Sequence, residues 1–216
     1  MLHTEAVTPD TLGLIRILQA DNAFADFRLV GGTALALQIG HRISVDIDLF
    51  STDSFDQEAL IQHLEKGFGF QMQYSHKNTL KGIINNVFVD ILTHPYPFIR
   101  AEVSSEGVRM AAAEDIAAMK VNAIIGNGTR VKDFVDLHFL LEQFSLKEIL
   151  SFYIEKYDQR NDFHALKSIC YFEDVDFSTW PEMLIQDDLS PDKLKRSLEQ
   201  HRHEYLRTSK MPPGLI

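Results

Sequence analysis

Apolar positions repeat with two different periods along this chain, and the change of period divides it. Near the start, Leu12, Ile15 and Leu18 recur at helical spacing after Thr8-Pro9-Asp10, which predicts a helix beginning there. Phe27-Arg28-Leu29-Val30 reads as a short strand, and Thr33 to Ile39 as a short helix after a double glycine. From Ile43 to Phe50 the pattern alternates, with Val45, Ile47 and Leu49 on one side and Asp46 and Asp48 on the other. Ser54 is the expected N-cap of a helix reaching about Lys66, and Phe68–Ser75 and Ile83–Leu92 read as two strands of a hairpin. His94-Pro95-Tyr96-Pro97 then interrupts the strand pattern.

Beyond a short strand near Val108, helical spacing dominates. Helices are expected over Ala113–Ile125, Lys132–Gln143, Leu146–Tyr157, Phe163–Tyr171 and Pro191–Arg207. Gly126-Asn127-Gly128 stops the first of these. Residues 174–188 read as an irregular acidic connection and 210–213 as a frayed tail. Strands first and helices afterwards imply an α+β fold, a mixed β-sheet core followed by an α-helical C-terminal domain. The expected division is a core over residues 1–110 and a helical domain over 111–216 that completes an active-site cleft.

The chemistry concentrates in Gly31-Gly32-Thr33 and the acids that follow. Glycines permit positive φ and close backbone approach, and the free amides of a helix start bind phosphate oxygens. Thr33 adds a hydroxyl. Strand residues two apart share a face about 6–7 Å apart at Cα, so Asp46 and Asp48 can converge on a hard cation. Asp90, alone among the apolar residues of Val87–Leu92, is the candidate third carboxylate, because an acid in such a strand needs a partner or solvent. Arg42 can meet a phosphate or pair with an acid, and otherwise reads with His41 as a polar helix exit. Lys120 lies on a mainly apolar helix, where it either reaches substrate or snorkels. Arg130 and Lys132 add to Lys120 the prospect of a local basic groove, and Asp136 either activates an acceptor hydroxyl or pairs with Lys120 or Arg130. Asp133 reads as an acid favouring a helix start.

Composition sharpens this modestly. A formal net charge of −10 disfavours a general nucleic-acid binder with a broad basic face. The chain has one cysteine, Cys170, which excludes an internal disulfide and suits a reducing cytoplasm. No apolar run reaches the roughly 20 residues that cross a bilayer, so no membrane role is expected.

The string GGTALAL, then HRISVDIDLF, resembles the AbiEii/AbiGii-type toxin nucleotidyltransferases within the DNA polymerase β-like superfamily. The similarity extends through Lys120, through Arg130-Val131-Lys132-Asp133-Phe134-Val135-Asp136-Leu137 and to Tyr171-Phe172-Glu173-Asp174. It implies transfer of a nucleoside monophosphate from a nucleoside triphosphate (NTP), with Mg²⁺ or Mn²⁺ held by Asp46, Asp48 and Asp90. Gly31, Gly32, Thr33, Arg42, Lys120, Arg130 and Lys132 would bind the nucleotide, and Asp136 would join the catalytic set. It further implies a cytoplasmic toxin with an RNA acceptor, tRNA in particular, or a protein acceptor, and a separate antitoxin protein. A non-catalytic nucleotide-binding regulatory module and a metal-dependent phosphohydrolase are the competing expectations.

Overall fold

The structure is a computed structural model and describes residues 1–185 and 188–208. The expected frayed tail at 210–213 lies outside the described residues, as do residues 186 and 187 of the acidic connection. The chain divides into two compact units. The first comprises Met1–Ala112 with Glu182–Ile185, and the second comprises Ala113–Pro181 and the described residues that follow 185.

The first unit is built on a seven-stranded mixed sheet. Helix α1 (Pro9–Ala20) starts as expected, with Thr8 as N-cap accepting from the Thr11 amide. Strand β1 (Arg28–Leu29) runs directly into α2 (Gly31–Ile39), and β2 is Ile47–Ser51. Helix α3 (Gln57–Phe68) takes Asp56, not Ser54, as its N-cap, because Asp56 supplies the carboxylate that receives the Ala59 amide. Strands β3 (Gln71–His76), β4 (Thr79–Ile84), β5 (Val87–Thr93), β6 (Val103–Ser105) and β7 (Val108–Met110) complete the sheet, in the order β3-β4-β5-β2-β1-β7-β6.

The expected hairpin of Phe68–Ser75 with Ile83–Leu92 is corrected by this order. The second segment is two strands, because Asn85 and Asn86 turn the chain with φ of 49° and 64°. Paired positive φ is the signature of a tight hairpin turn, and asparagine tolerates it. Glu106 and Gly107 (φ 51° and 82°) make the same kind of turn between β6 and β7.

Strands β2 and β5 form the centre and are parallel, with Ile47 opposite Val89 and Leu49 opposite Ile91. These four side chains are fully buried, whereas Asp48, Phe50 and Asp90 on the alternate positions are only half-buried. One face of the sheet therefore carries core and the other carries Asp48, Phe50 and Asp90. The alternation does not extend back to Ile43: residues 43–46 precede the strand, which is why Val45 is 47% exposed rather than buried with Ile47. Glu182–Ile185 belongs to this unit because Ile43 N–H donates to Glu182 O at 2.9 Å and Leu184 N–H to His41 O at 3.0 Å.

The second unit is helical: α4 (Ala113–Gly126), α5 (Val131–Leu141), α6 (Leu146–Tyr157), α7 (Phe163–Ser168) and α8 (Pro191–Thr208). Helix α6 begins with a capping box, in which the Ser145 hydroxyl and amide hold the Glu148 carboxyl below its usual range. Ala117, Val121, Phe134, Leu137 and Ile149 are fully buried. Among the described residues, Lys156 and Lys120 carry buried ion pairs across this apolar interior. Lys156 on α6 meets Asp115 on α4 at 2.9 Å, both without exposure, and Lys120 on α4 meets α5 as described below. Among the described residues, no helix is long and apolar enough to cross a membrane.

Candidate active site

The chain passes from β1 into α2 with no side-chain cap, because the N-cap position is Val30. The first amides of a helix lack intrahelical acceptors, so those of Gly31, Gly32 and Thr33 end the helix as donors at its positive pole. Val30 N–H donates to Asp48 O at 2.9 Å, which fixes this helix start beside β2. The expected turn is thus the first turn of α2 itself.

Gly31 has φ of 70°, and a Cβ built on it would collide with the Asp48 carboxylate. The glycine is therefore required twice, for its backbone and for the space the carboxylate fills. Gly31→Ala is expected to cost about 1–3 kcal/mol in urea unfolding and to displace Asp48. Gly13→Ala is the control: nothing lies within 4 Å of an added Cβ inside α1, so this exchange should stabilise by about 0.5–1 kcal/mol. Equal effects at the two positions would contradict the close approach of Gly31 to Asp48.

Asp48 stands directly opposite Asp90 in the parallel β2–β5 register, and Asp90 directly opposite Lys81 in the antiparallel β4–β5 register. Lys81, Asp90 and Asp48 thus form one row across three strands, and Lys81 makes an ion pair with Asp90. Neighbouring strands are about 4.8 Å apart. Two carboxylates at that spacing repel by about 3 kcal/mol at an effective dielectric constant near 20. Asp46 is exposed and lies just ahead of β2. Among the described residues, no three or more His, Cys, Asp or Glu side chains are already gathered around one point for an ion.

Thr33 has a different task from the one expected. It is 1% exposed, and its hydroxyl donates to the Asp46 carbonyl and lies 2.8 Å from the Ser44 hydroxyl. This side chain ties α2 to the segment that delivers Asp46, so its hydroxyl is not aimed at a phosphate. Arg42 is likewise buried, at 3% exposure, with its guanidinium donating to Ile43 O at 3.0 Å. It shares an isolated antiparallel bridge with Met183.

In the second unit, Lys120 does not snorkel. Its ammonium is buried between Asp133 Oδ1 at 2.7 Å and Asp136 Oδ2 at 2.6 Å. Asp133 is 1% exposed and does more than favour a helix start: it shares Lys120 with Asp136, one turn on. Arg130 occupies the N-cap position of α5 without a side-chain cap; its 62% exposed side chain brings Nε within 3.5 Å of Asp133 Oδ2, and Lys132 is half-buried on the first turn. Lys81 is not among the expected site residues because the pattern runs the end of β4 into β5. An alternating Thr79-Leu80-Lys81 ahead of Asn85-Asn86 is the signal that would have found it.

Burial pushes the Cys170 thiol up to about 11, against the opposing pull of Arg202. A thiol so raised is a poor nucleophile at neutral pH. Alkylation of the folded chain at pH 8 should be on the order of a hundredfold slower than after unfolding, and equal rates would contradict that environment.

The family described as "Nucleotidyl transferase AbiEii toxin, Type IV TA system" matches residues 14–107 and 67–213. An uncharacterized protein of Aquifex aeolicus (strain VF5), aq_aa25, is 34% identical over 156 residues, 69% of this chain and 75% of that protein. A Helicobacter pylori structure described as a candidate nucleotidyltransferase superposes with a TM-score of 0.53 at 18% identity, covering 95% of this chain and all of that one. JHP933 from Helicobacter pylori gives a TM-score of 0.51 at 18% identity, covering 94% and 96%. These two structures share the fold, and the match to the family runs through the glycine turn, the carboxylates of β2 and β5 and the Lys120–Asp136 region. The chain belongs to the AbiEii nucleotidyl transferase toxin family and is a nucleotidyltransferase.

Proposed function

We propose that the chain transfers a nucleoside monophosphate from an NTP to a hydroxyl acceptor on RNA or protein, with Mg²⁺ or Mn²⁺, as the cytoplasmic toxin of a toxin–antitoxin pair. The observation that carries the reading is the position of the Asp48 carboxylate against Gly31, with Asp90 beside it in register. Phosphate donors and cation acceptors thereby share one edge of the first unit.

The residues fit a divalent cation on two grounds. Their donors are carboxylate oxygens, which suit Mg²⁺ and Mn²⁺. The row Lys81, Asp90, Asp48 carries a formal net charge of −1, and −2 with Asp46, and the Asp48 carboxylate fills the space a Cβ on Gly31 would take. Asp46 and Asp48 would hold the cation, with Asp90 joining once Lys81 yields it. A bound cation supplies charge neutralisation at the phosphates and a lowered pKa for the attacking hydroxyl.

The chain's own groups supply the rest. The amides of Gly31, Gly32 and Thr33 receive the triphosphate end that departs as pyrophosphate. The Thr33 hydroxyl, which also meets that of Ser44, holds the Asp46 backbone, and the β2–β5 register holds Asp48 against Asp90. Within the second unit, Lys120 with Asp133 and Asp136 sets the α4–α5 pairing, and Arg130 and Lys132 stand at the start of α5. Positioning and charge neutralisation lower the barrier, with no covalent enzyme intermediate.

The Lys81–Asp90 ion pair favours one second reading, a nucleotide-binding regulatory module in which the lysine never yields. Incubation with each of the four α-labelled NTPs, Mg²⁺ and total cell RNA or protein separates the two. Label in an acceptor band, lost on adding EDTA, is the expected result. Bound nucleotide with no transferred label would establish the second reading.

A further inference from the structure

The face that carries Asp48 and Asp90 continues into a row of aromatic rings. Phe50 is two residues beyond Asp48 on β2 and shares its face, about 7 Å further along. His94 follows β5, and its N–H donates to Ser51 O at 2.8 Å, so the segment is pinned to the end of β2. The His94 ring lies 5.6 Å from Phe50 and 4.9 Å from Tyr96. Tyr96 N–H donates to His94 O at 2.7 Å, a tight turn that brings the second ring beside the first. Tyr96 is 39% exposed, and Phe50 and His94 are half-buried. Arg28 stands opposite Phe50 on β1, with its guanidinium 4.1 Å from the Phe98 ring centroid and 3.4 Å from Glu102.

The order along this face is directional. Gly31 comes first, then Asp48 with Asp90, then Phe50, His94 and Tyr96. In-line displacement places the attacking oxygen and the departing pyrophosphate on opposite sides of the α-phosphorus. With the departing end on the α2 amides, the acceptor arrives from the side where the rings stand.

We propose that Phe50, His94 and Tyr96 form the acceptor subsite and that it takes the unpaired terminal base of a single-stranded RNA. The proposal rests on the nucleotidyl-transfer reading above. Aromatic side chains bind bases of any sequence through their π-faces. A serine, threonine or tyrosine acceptor in a protein has no terminal base for such a strip, which favours RNA. In the reaction the terminal ribose hydroxyl oxygen forms a bond to the α-phosphorus. The bond from that phosphorus to the bridging oxygen breaks, pyrophosphate leaves with the electron pair, and the hydroxyl proton passes to solvent.

The test uses the full chain, α-labelled NTP and a short single-stranded RNA ending in 4-thiouridine. Tyr96→Ala should raise the KM for RNA on the order of tenfold, with kcat and the KM for NTP unchanged, and Tyr96→Phe should behave as the native chain. Ultraviolet crosslinks from the terminal thiouridine should map to residues 94–98. A raised KM for NTP with an unchanged KM for RNA would overturn the proposal and make the strip a donor-base site. Label transferred only to protein would overturn it while leaving nucleotidyl transfer standing. Should the native chain label neither class, the functional reading fails, and the crosslink alone decides whether RNA ends lie on the strip.

Discussion

Asp48→Asn is expected to lower nucleotidyl transfer on the order of a thousandfold while leaving the fold intact. Asparagine keeps the shape that fits against Gly31, so the packing that a Cβ would disrupt is preserved. It removes one of the two carboxylates that face each other across β2 and β5. On the proposed reading the site then loses a cation ligand, and charge stabilisation worth several kcal/mol at the reacting phosphates goes with it. The same exchange relieves like-charge repulsion with Asp90, so the melting temperature of the metal-free chain should stay level or rise slightly. Activity and stability moving apart is the diagnostic outcome. Steady-state transfer assays beside thermal melts of the same preparation check it, and an Asp48→Asn chain that transfers at the native rate would remove Asp48 from the site.

Lys120→Met is expected to destabilise the second unit by about 3–5 kcal/mol, because it leaves Asp133 and Asp136 buried without their shared cation. For a chain of this size that is a fall on the order of 10 °C in melting temperature. Methionine retains the length and apolar character of the lysine stem, so the lost charge is the main change. Adding Asp136→Asn to Lys120→Met should recover part of the loss, since one of the two buried negative charges that shared the ammonium is removed. If Lys120 instead serves mainly to bind triphosphate, melting would scarcely change and the KM for NTP would rise. Thermal melts of the single and double variants decide between these tasks.

The residue types of the candidate site are readable in the sequence, but not the contacts that commit each of them. Asp46, Asp48 and Asp90 stood out because acids are costly among apolar strand residues. The alternating pattern placed Asp48 and Asp90 correctly on one face, since period-two burial depends on local sequence alone. Asp46 was assigned to the strand by the same pattern, yet β2 starts at Ile47 because residues 43–46 are engaged by Ala6, Glu182 and Thr33. Those partners are remote in sequence, and no periodicity reports them. An isolated lysine on an apolar helix suggests a substrate-facing or snorkelling Lys120, while a pair with Lys120 is one of the alternatives the sequence offers for Asp136. The structure has that pair and adds Asp133, whose part in burying the lysine no spacing reports. Helices with strong local signals fared best: α6 begins and ends where its capping box and apolar spacing place it, at Leu146 and Tyr157. Turns made by asparagine without glycine, at Asn85-Asn86, were the costliest omission, since they hid β4 and with it Lys81.

The direct test of the central claim is anomalous scattering from crystals of the chain grown with Mn²⁺ and a non-hydrolysable NTP. The account predicts a manganese peak within coordinating distance of the Asp46 and Asp48 carboxylates, with the triphosphate on the Gly31–Thr33 amides and Lys81 displaced from Asp90. A triphosphate bound elsewhere, with no metal at these aspartates, would contradict it.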